Sequence, residues 1–234
     1  MSFHVLTFGN LQSDTLLLQM VDNHDLQVIE QEVSHIRELS GGQDFCLKAV
    51  KVNNWNWDLS PWPAPAVFGN EDFGEGAAET LEYLLREVIP DPSISGEKVK
   101  RILIGGYSLA GLFALWAGYQ TDRFDGIAAA SPSIWFPSFT EYMRDNKIHA
   151  DAVYLSLGDR EARTRNPVMA QYRASTAPAS SPRTTHEMVG DAIRTGFKHL
   201  KENGTDCVLE WNKGNHFREP DLRTAKAFAW LMLS

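Results

Sequence analysis

Short apolar runs alternate along this chain with longer segments whose apolar residues recur every three or four positions, the patterns of buried strands and amphipathic helices. Thr15 to Met20 predicts the first strand, and a helix capped at Asp22 and Asn23 follows to about Leu39, with Val28, Ile29, Val33 and Ile36 as its stripe. Gly41 and Gly42 end it, and Phe45 to Val52 reads as the next strand. Asn53 to Gly76 is irregular and rich in Pro, Trp and Asn, a length of loop that usually serves a site. A helix from Ala77 to Val88 stops at Pro90, and Asp91 to Gly96 is a turn-rich link. Strand Arg101 to Gly105, helix Leu109 to Gln120, strand Phe124 to Ala130, a short helix from Phe139 to Asn146 and strand Ala152 to Leu157 follow. Pro167 to Ala174 predicts a short helix, and Ser175 to Ser181 is a flexible linker by composition. A helix from about Thr185 to Asn203, strand Asp206 to Trp211, a polar loop from Asn212 to Arg218 and a closing helix from Asp221 to Leu233 complete the chain. Such alternation builds an α/β fold, a mainly parallel sheet with helices on both faces, and no internal repeat competes with it.

At 234 residues the chain is long enough for one α/β domain with a large core, and no shift in composition divides it, so a single domain over 1–234 is expected. A net charge of -8 argues against nucleic acid or an anionic membrane as partner, since neither attracts an acidic surface. No apolar run approaches the length that spans a bilayer, and the N-terminus lacks a basic region followed by an apolar stretch, so the expected location is the cytoplasm. The two cysteines, Cys46 and Cys207, each fall inside a predicted strand and read as buried apolar fillers, in keeping with a reducing compartment.

The chemistry gathers at Gly106-Tyr107-Ser108-Leu109-Ala110-Gly111, where a buried strand turns into a helix. A serine on so tight a turn is exposed above the sheet, and the N–H of the next residue, Leu109, points at the oxygen of an attacked carbonyl. Small neighbours are needed there, which Gly106, Ala110 and Gly111 provide, with Ala110 in the place of the usual second glycine. Such a serine needs a base, and the base needs an acid, each beyond the carboxyl end of a strand. Among seven histidines, only His216 follows the last predicted strand directly, in Asn212-Lys213-Gly214-Asn215-His216-Phe217. Asp159 and Glu161, in the loop after strand Ala152 to Leu157, are the candidate acids, and spacing does not separate them.

Gly106 to Gly111, Leu155-Ser156-Leu157-Gly158-Asp159-Arg160-Glu161 and Gly214-Asn215-His216 resemble the elbow, acid and histidine motifs of the esterase D and enterochelin-esterase-like branch of the α/β-hydrolases. Trp57-Asp58-Leu59-Ser60-Pro61-Trp62 and Glu87-Val88-Ile89-Pro90 are similar too, so the resemblance spans most of the chain. It implies an α/β-hydrolase fold without a large cap domain and favours Glu161 as the acid, with Asp159 in reserve. Gln19-Met20-Val21-Asp22 lacks the His-Gly oxyanion motif of many relatives, leaving a backbone N–H of Val21 or Asp22 as the other expected donor.

Three of the seven tryptophans lie within Trp55 to Trp62, after a strand and so on the side of the candidate site. Trp55 and Trp57 would wall a substrate pocket with Tyr107, or pin the loop to the domain, and Asp58 would fix the loop or contact substrate. Arg160, Arg163, Arg165 and Arg173 would form a cationic rim, or stand solvated and paired with carboxylates. The expected activity is hydrolysis of a small-molecule carboxylic ester through an acyl-enzyme, needing neither metal nor organic cofactor. Acyl transfer with the same three residues, siderophore-ester hydrolysis and a hydrolase-fold binding protein without turnover are the competing readings. Oligomeric state cannot be read from the chain.

Overall fold

The computed structural model describes residues 2–67, 69–91, 99–168 and 187–234. Its centre is one seven-stranded sheet made of β1 (His4–Gly9), β2 (Thr15–Val21), β3 (Cys46–Lys51), β4 (Arg101–Tyr107), β5 (Gly126–Ala130), β6 (Ala152–Gly158) and β7 (Asp206–Asn212). The strands lie in the order β1-β3-β2-β4-β5-β6-β7, with β1 antiparallel to β3 and every other pair parallel. Strands β2, β4, β5 and β6 are buried almost throughout, as their continuous apolar sequences require of strands covered on both faces.

Helix α1 (Asn23–Leu39) and the C-terminal α7 (Pro220–Leu233) pack together on one face, over a core that includes Leu17, Val21, Leu103 and Phe228. The opposite face carries α3 (Ala77–Tyr83), α4 (Leu109–Gln120), α5 (Phe139–Asp145) and α6 (Val189–Glu202), over the larger core. Every residue of α4 from Leu109 to Tyr119 is buried, which explains why its sequence is apolar all round rather than striped.

Three departures from the sequence pattern have physical causes. β1 was not expected: His-Val-Leu-Thr-Phe-Gly breaks the two-residue alternation, and the strand is a half-exposed edge. The irregular segment contains a short helix, α2 (Trp55–Asp58), whose N-cap Asn54 accepts the Trp57 N–H. The helix expected from Thr185 starts at Val189, because Met188 is extended and bridged to Arg165; Thr185 itself lies outside the described residues. The predicted helix Pro167 to Ala174 beyond Val168, the Ser175 to Ser181 linker and the Asp91 to Gly96 link beyond Asp91 also lie outside them.

The register aligns the carboxyl ends that matter: Tyr107 stands beside Ala130, Ala130 beside Ser156, and Gly158 beside Asn212. The segments leaving β4, β5, β6 and β7 therefore emerge side by side. Among the described residues, no helix is long and apolar enough to cross a membrane.

Candidate active site

Ser108 sits between β4 and α4 with φ 57° and ψ -118°, a conformation that an L-residue adopts at a cost of about 1–3 kcal/mol. Backbone bonds on both sides hold it: Ser108 N–H donates to Ala130 O at 3.0 Å, and Ser133 N–H donates to Ser108 O at 3.1 Å. The crossing beneath the turn is so close that a Cβ on Gly106 would stand 2.6 Å from the Ala110 Cβ. Only one of that pair needs to be glycine, which leaves room for Ala110 in the place of the second glycine of a Gly-x-Ser-x-Gly turn.

The Ser108 Oγ lies 3.1 Å from His216 Nε2, and His216 Nδ1 lies 2.6 Å from Glu161 Oε1. Glu161 opens a short 3-10 turn after β6, is 5% exposed, and accepts the Gly158 N–H on Oε2 at 3.3 Å. A buried carboxylate hydrogen-bonded to one imidazole nitrogen leaves the other facing a serine hydroxyl, the arrangement that turns a hydroxyl into a nucleophile.

Asp159, the reserve acid, is turned to another task. Its Oδ1 accepts the Gly214 N–H at 2.7 Å, and that bond, assisted by the Arg160 N–H and the charges of Arg160 and Arg163, holds its carboxyl below the usual range. Asp159 thus braces the loop that carries His216. Gly158 permits the same approach, since a Cβ there would stand 2.4 Å from Gly214 O.

No family model matches the sequence, and no curated protein matches it. Solved structures do. An IroE-like serine hydrolase from Shewanella oneidensis superposes with a TM-score of 0.71 at 14% identity, over 99% of this chain and 76% of that one. The fold is that of the α/β-hydrolases. The siderophore hydrolase EstB from Aspergillus nidulans gives a TM-score of 0.67 at 14% identity, covering 98% of this chain and 89% of its own. Enterobactin hydrolase IroE, solved in complex with DFP, gives 0.65 at 14% identity, covering 99% and 95%.

In this fold, Leu109 is the first residue of α4, so its N–H has no acceptor within the helix and stands beside Ser108 at the positive end of the helix dipole. Val21, the other expected donor, is a correction. Its carbonyl accepts the Val52 N–H at 3.2 Å in the parallel pairing with β3. A strand residue directs its N–H and C=O to the same side, so the Val21 N–H points to β3, away from β4 and Ser108. The Asp22 N–H is also committed, to Asp25 Oδ2 at 3.0 Å in the capping box of α1.

Tyr107 is likewise reassigned from the substrate side. It is buried, its hydroxyl donates to His216 O at 2.6 Å and accepts from Arg223 Nη1 at 3.0 Å, and burial pushes the phenol up to about 12. Asp58 fixes its loop from within, since its buried Oδ2 accepts the Asn53 and Asn54 N–H groups at 2.8 Å each. The half-exposed Trp57 lies against Gly74 and Gly76, whose missing Cβ atoms make room for the indole, so it pins the returning loop. Trp55 lines a recess of about 300 Å³ with His4, Asp22, Asn23, Lys51, Val52 and Asn53, at the carboxyl ends of β2 and β3. Arg160, Arg163 and Arg165 are exposed around the acid loop, and Arg173 lies outside the described residues. Among the described residues, no three His, Cys, Asp or Glu side chains are grouped to hold a metal ion.

Three polar residues went unnoticed in the sequence. Ser133, which is buried, places its Oγ 3.4 Å from Ser108 Oγ. Ser131 and Arg223 form a buried polar layer under the histidine loop, where Arg223 Nη1 donates to Ser131 Oγ at 3.1 Å. The sequence signals at most that Arg223 is buried, by its place in a helix that buries Thr224 and Ala, Phe, Leu and Met side chains, and not what it touches.

Proposed function

We propose that this chain is a serine hydrolase that cleaves a small-molecule carboxylic ester through an acyl-enzyme, with Ser108 as nucleophile, His216 as base and Glu161 as the acid that orients it. The observation that carries the reading is the continuous line from Ser108 Oγ to His216 Nε2 at 3.1 Å and from His216 Nδ1 to Glu161 Oε1 at 2.6 Å, on a strained turn at the head of α4. Ser108 Oγ attacks the ester carbonyl as its proton passes to His216 Nε2, and the Leu109 N–H stabilises the oxyanion. Collapse of the tetrahedral intermediate expels the alcohol, which takes the proton from His216. Water, deprotonated by His216, then attacks the acyl-serine and releases the acid, restoring the Ser108 hydroxyl. Two structural neighbours are named as hydrolases, one of a siderophore and one of enterobactin, which supports hydrolysis as the reaction class. The two buried free cysteines accord with action in a reducing compartment such as the cytoplasm.

The test is a series of p-nitrophenyl esters of increasing acyl length, turned over by the wild-type protein and by Ser108→Ala. Turnover should fall by about 10³-fold or more in the variant. Equal rates in the two proteins would remove Ser108 from the reaction.

A further inference from the structure

We propose that Arg223 is a positioning residue for this site: its buried guanidinium supplies the countercharge to Glu161 and fixes the loop that presents His216. The proposal rests on the reading of Ser108, His216 and Glu161 as a catalytic triad, which it deepens.

Arg223 lies in the first turn of α7, is 1% exposed and is among the largest fully buried side chains of the molecule. A buried guanidinium is costly unless an anion faces it. Among the described residues, the carboxylate within ion-pairing distance is Glu161, whose Oε2 lies 3.7 Å from Arg223 Nη1. Glu161 has the converse need. Its Oε1 is taken by His216 and, among the described residues, its Oε2 accepts just the long bond from Gly158, so the guanidinium beside it supplies the cation that a buried carboxylate needs.

The rest of the guanidinium addresses the histidine loop. Nη2 donates to Lys213 O at 3.4 Å and Asn215 O at 3.0 Å, while Nη1 donates to the Tyr107 hydroxyl, which in turn donates to His216 O. The Asp159 N–H takes Asn212 O at 2.8 Å and the Arg160 N–H takes Gly214 O at 3.0 Å. Every carbonyl from Asn212 to His216 is therefore hydrogen-bonded, three of the five through Arg223 directly or through Tyr107. A loop tied at each peptide presents its imidazole in one place, which is what proton transfer at 3.1 Å demands. Among the described residues, no group bonds the buried Arg223 Nε, so the guanidinium is held by its two Nη groups.

The experiment compares wild type, Arg223→Met and Arg223→Lys by two readouts. One is the downfield NMR resonance of the His216 Nδ1 proton in its bond to Glu161, which needs no substrate, and the other is kcat and KM on p-nitrophenyl acetate. In folded Arg223→Met the resonance should vanish and kcat fall about 100-fold, with KM within about twofold of wild type. Arg223→Lys, which retains a cation but not the fork, should recover about tenfold of that loss. If Arg223→Met does not fold, Tyr107→Phe replaces it, with an expected fall in kcat of about fivefold at unchanged KM. The proposal is overturned if the folded variant, or Tyr107→Phe in its place, keeps both the resonance and wild-type kcat. It is also overturned if Arg223→Lys does no better than Arg223→Met, or if wild type lacks the resonance. A wild type without Ser108-dependent turnover would strike the esterase reading instead, and the NMR comparison would still decide the part played by Arg223.

Discussion

Two acidic residues two positions apart have opposite surroundings. Glu161 is buried, bonded to His216 Nδ1 and faced by Arg223, whereas Asp159 is spent on the Gly214 N–H at the protein surface. Spacing alone could not separate them, because both follow β6 by a few residues; the difference lies in which way the 3-10 turn at Glu161–Arg163 directs each side chain. Glu161→Gln should keep the fold but lower kcat by about 10³–10⁴-fold, since a neutral amide neither fixes the tautomer nor stabilises the imidazolium. Asp159→Asn should retain activity within about tenfold, losing only one bracing bond. Steady-state kinetics on one ester checks both. Full activity in Glu161→Gln beside loss in Asp159→Asn would reverse the assignment.

The elements legible in the sequence are those with one dominant signal. Strands β2, β4, β5 and β6 and the helix following Ser108 announce themselves through apolar runs, and α1 through its stripe and the Asp22 cap. Edge strand β1 escaped because a half-exposed strand carries no such run. The α1 cap also carries a prediction. Asp25, whose Oδ2 accepts the Asp22 N–H, has its carboxyl pushed up to about 6 from an ordinary 3.8, chiefly by burial and also by the neighbouring charge of Asp22. The folded protein thus holds that proton more tightly than the unfolded chain does. The resulting stability is fully present below about pH 4 and is lost as the pH rises through about 6, where the half-buried carboxylate must ionise. Asp25→Asn mimics the protonated form and keeps an acceptor for Asp22. At pH 8 it should stabilise the fold by about 1–2 kcal/mol, raising Tm by about 3–6 °C. At pH 4 the two proteins should melt together, and an equal gain in Tm at both pH values would sink the account.

For the molecule as a whole, function follows from strand order. Segments far apart in the chain meet because β4, β6 and β7 end at one level of the sheet, with β5 between the first two. Chain order and topology were therefore enough to bring Ser108, His216 and the loop of Asp159 and Glu161 together on paper, and the family resemblance favoured Glu161 within that loop. The polar layer beneath them was not legible, because Arg223 reaches the site from a helix that begins after the histidine loop, by contacts that no local spacing encodes. The second oxyanion donor eluded sequence reasoning for a related cause. Which way the Val21 N–H points depends on the β2–β3 register, and one residue of slip would have turned it from β3 to the β4 side. The role proposed for Ser108 as nucleophile is open to intact-mass and peptide analysis after exposure to a fluorophosphonate. A single adduct on the peptide bearing Ser108, absent from Ser108→Ala and formed at least about 100-fold more slowly in His216→Ala, is the predicted result. No adduct in the folded wild-type protein, or one that persists in Ser108→Ala, would contradict it.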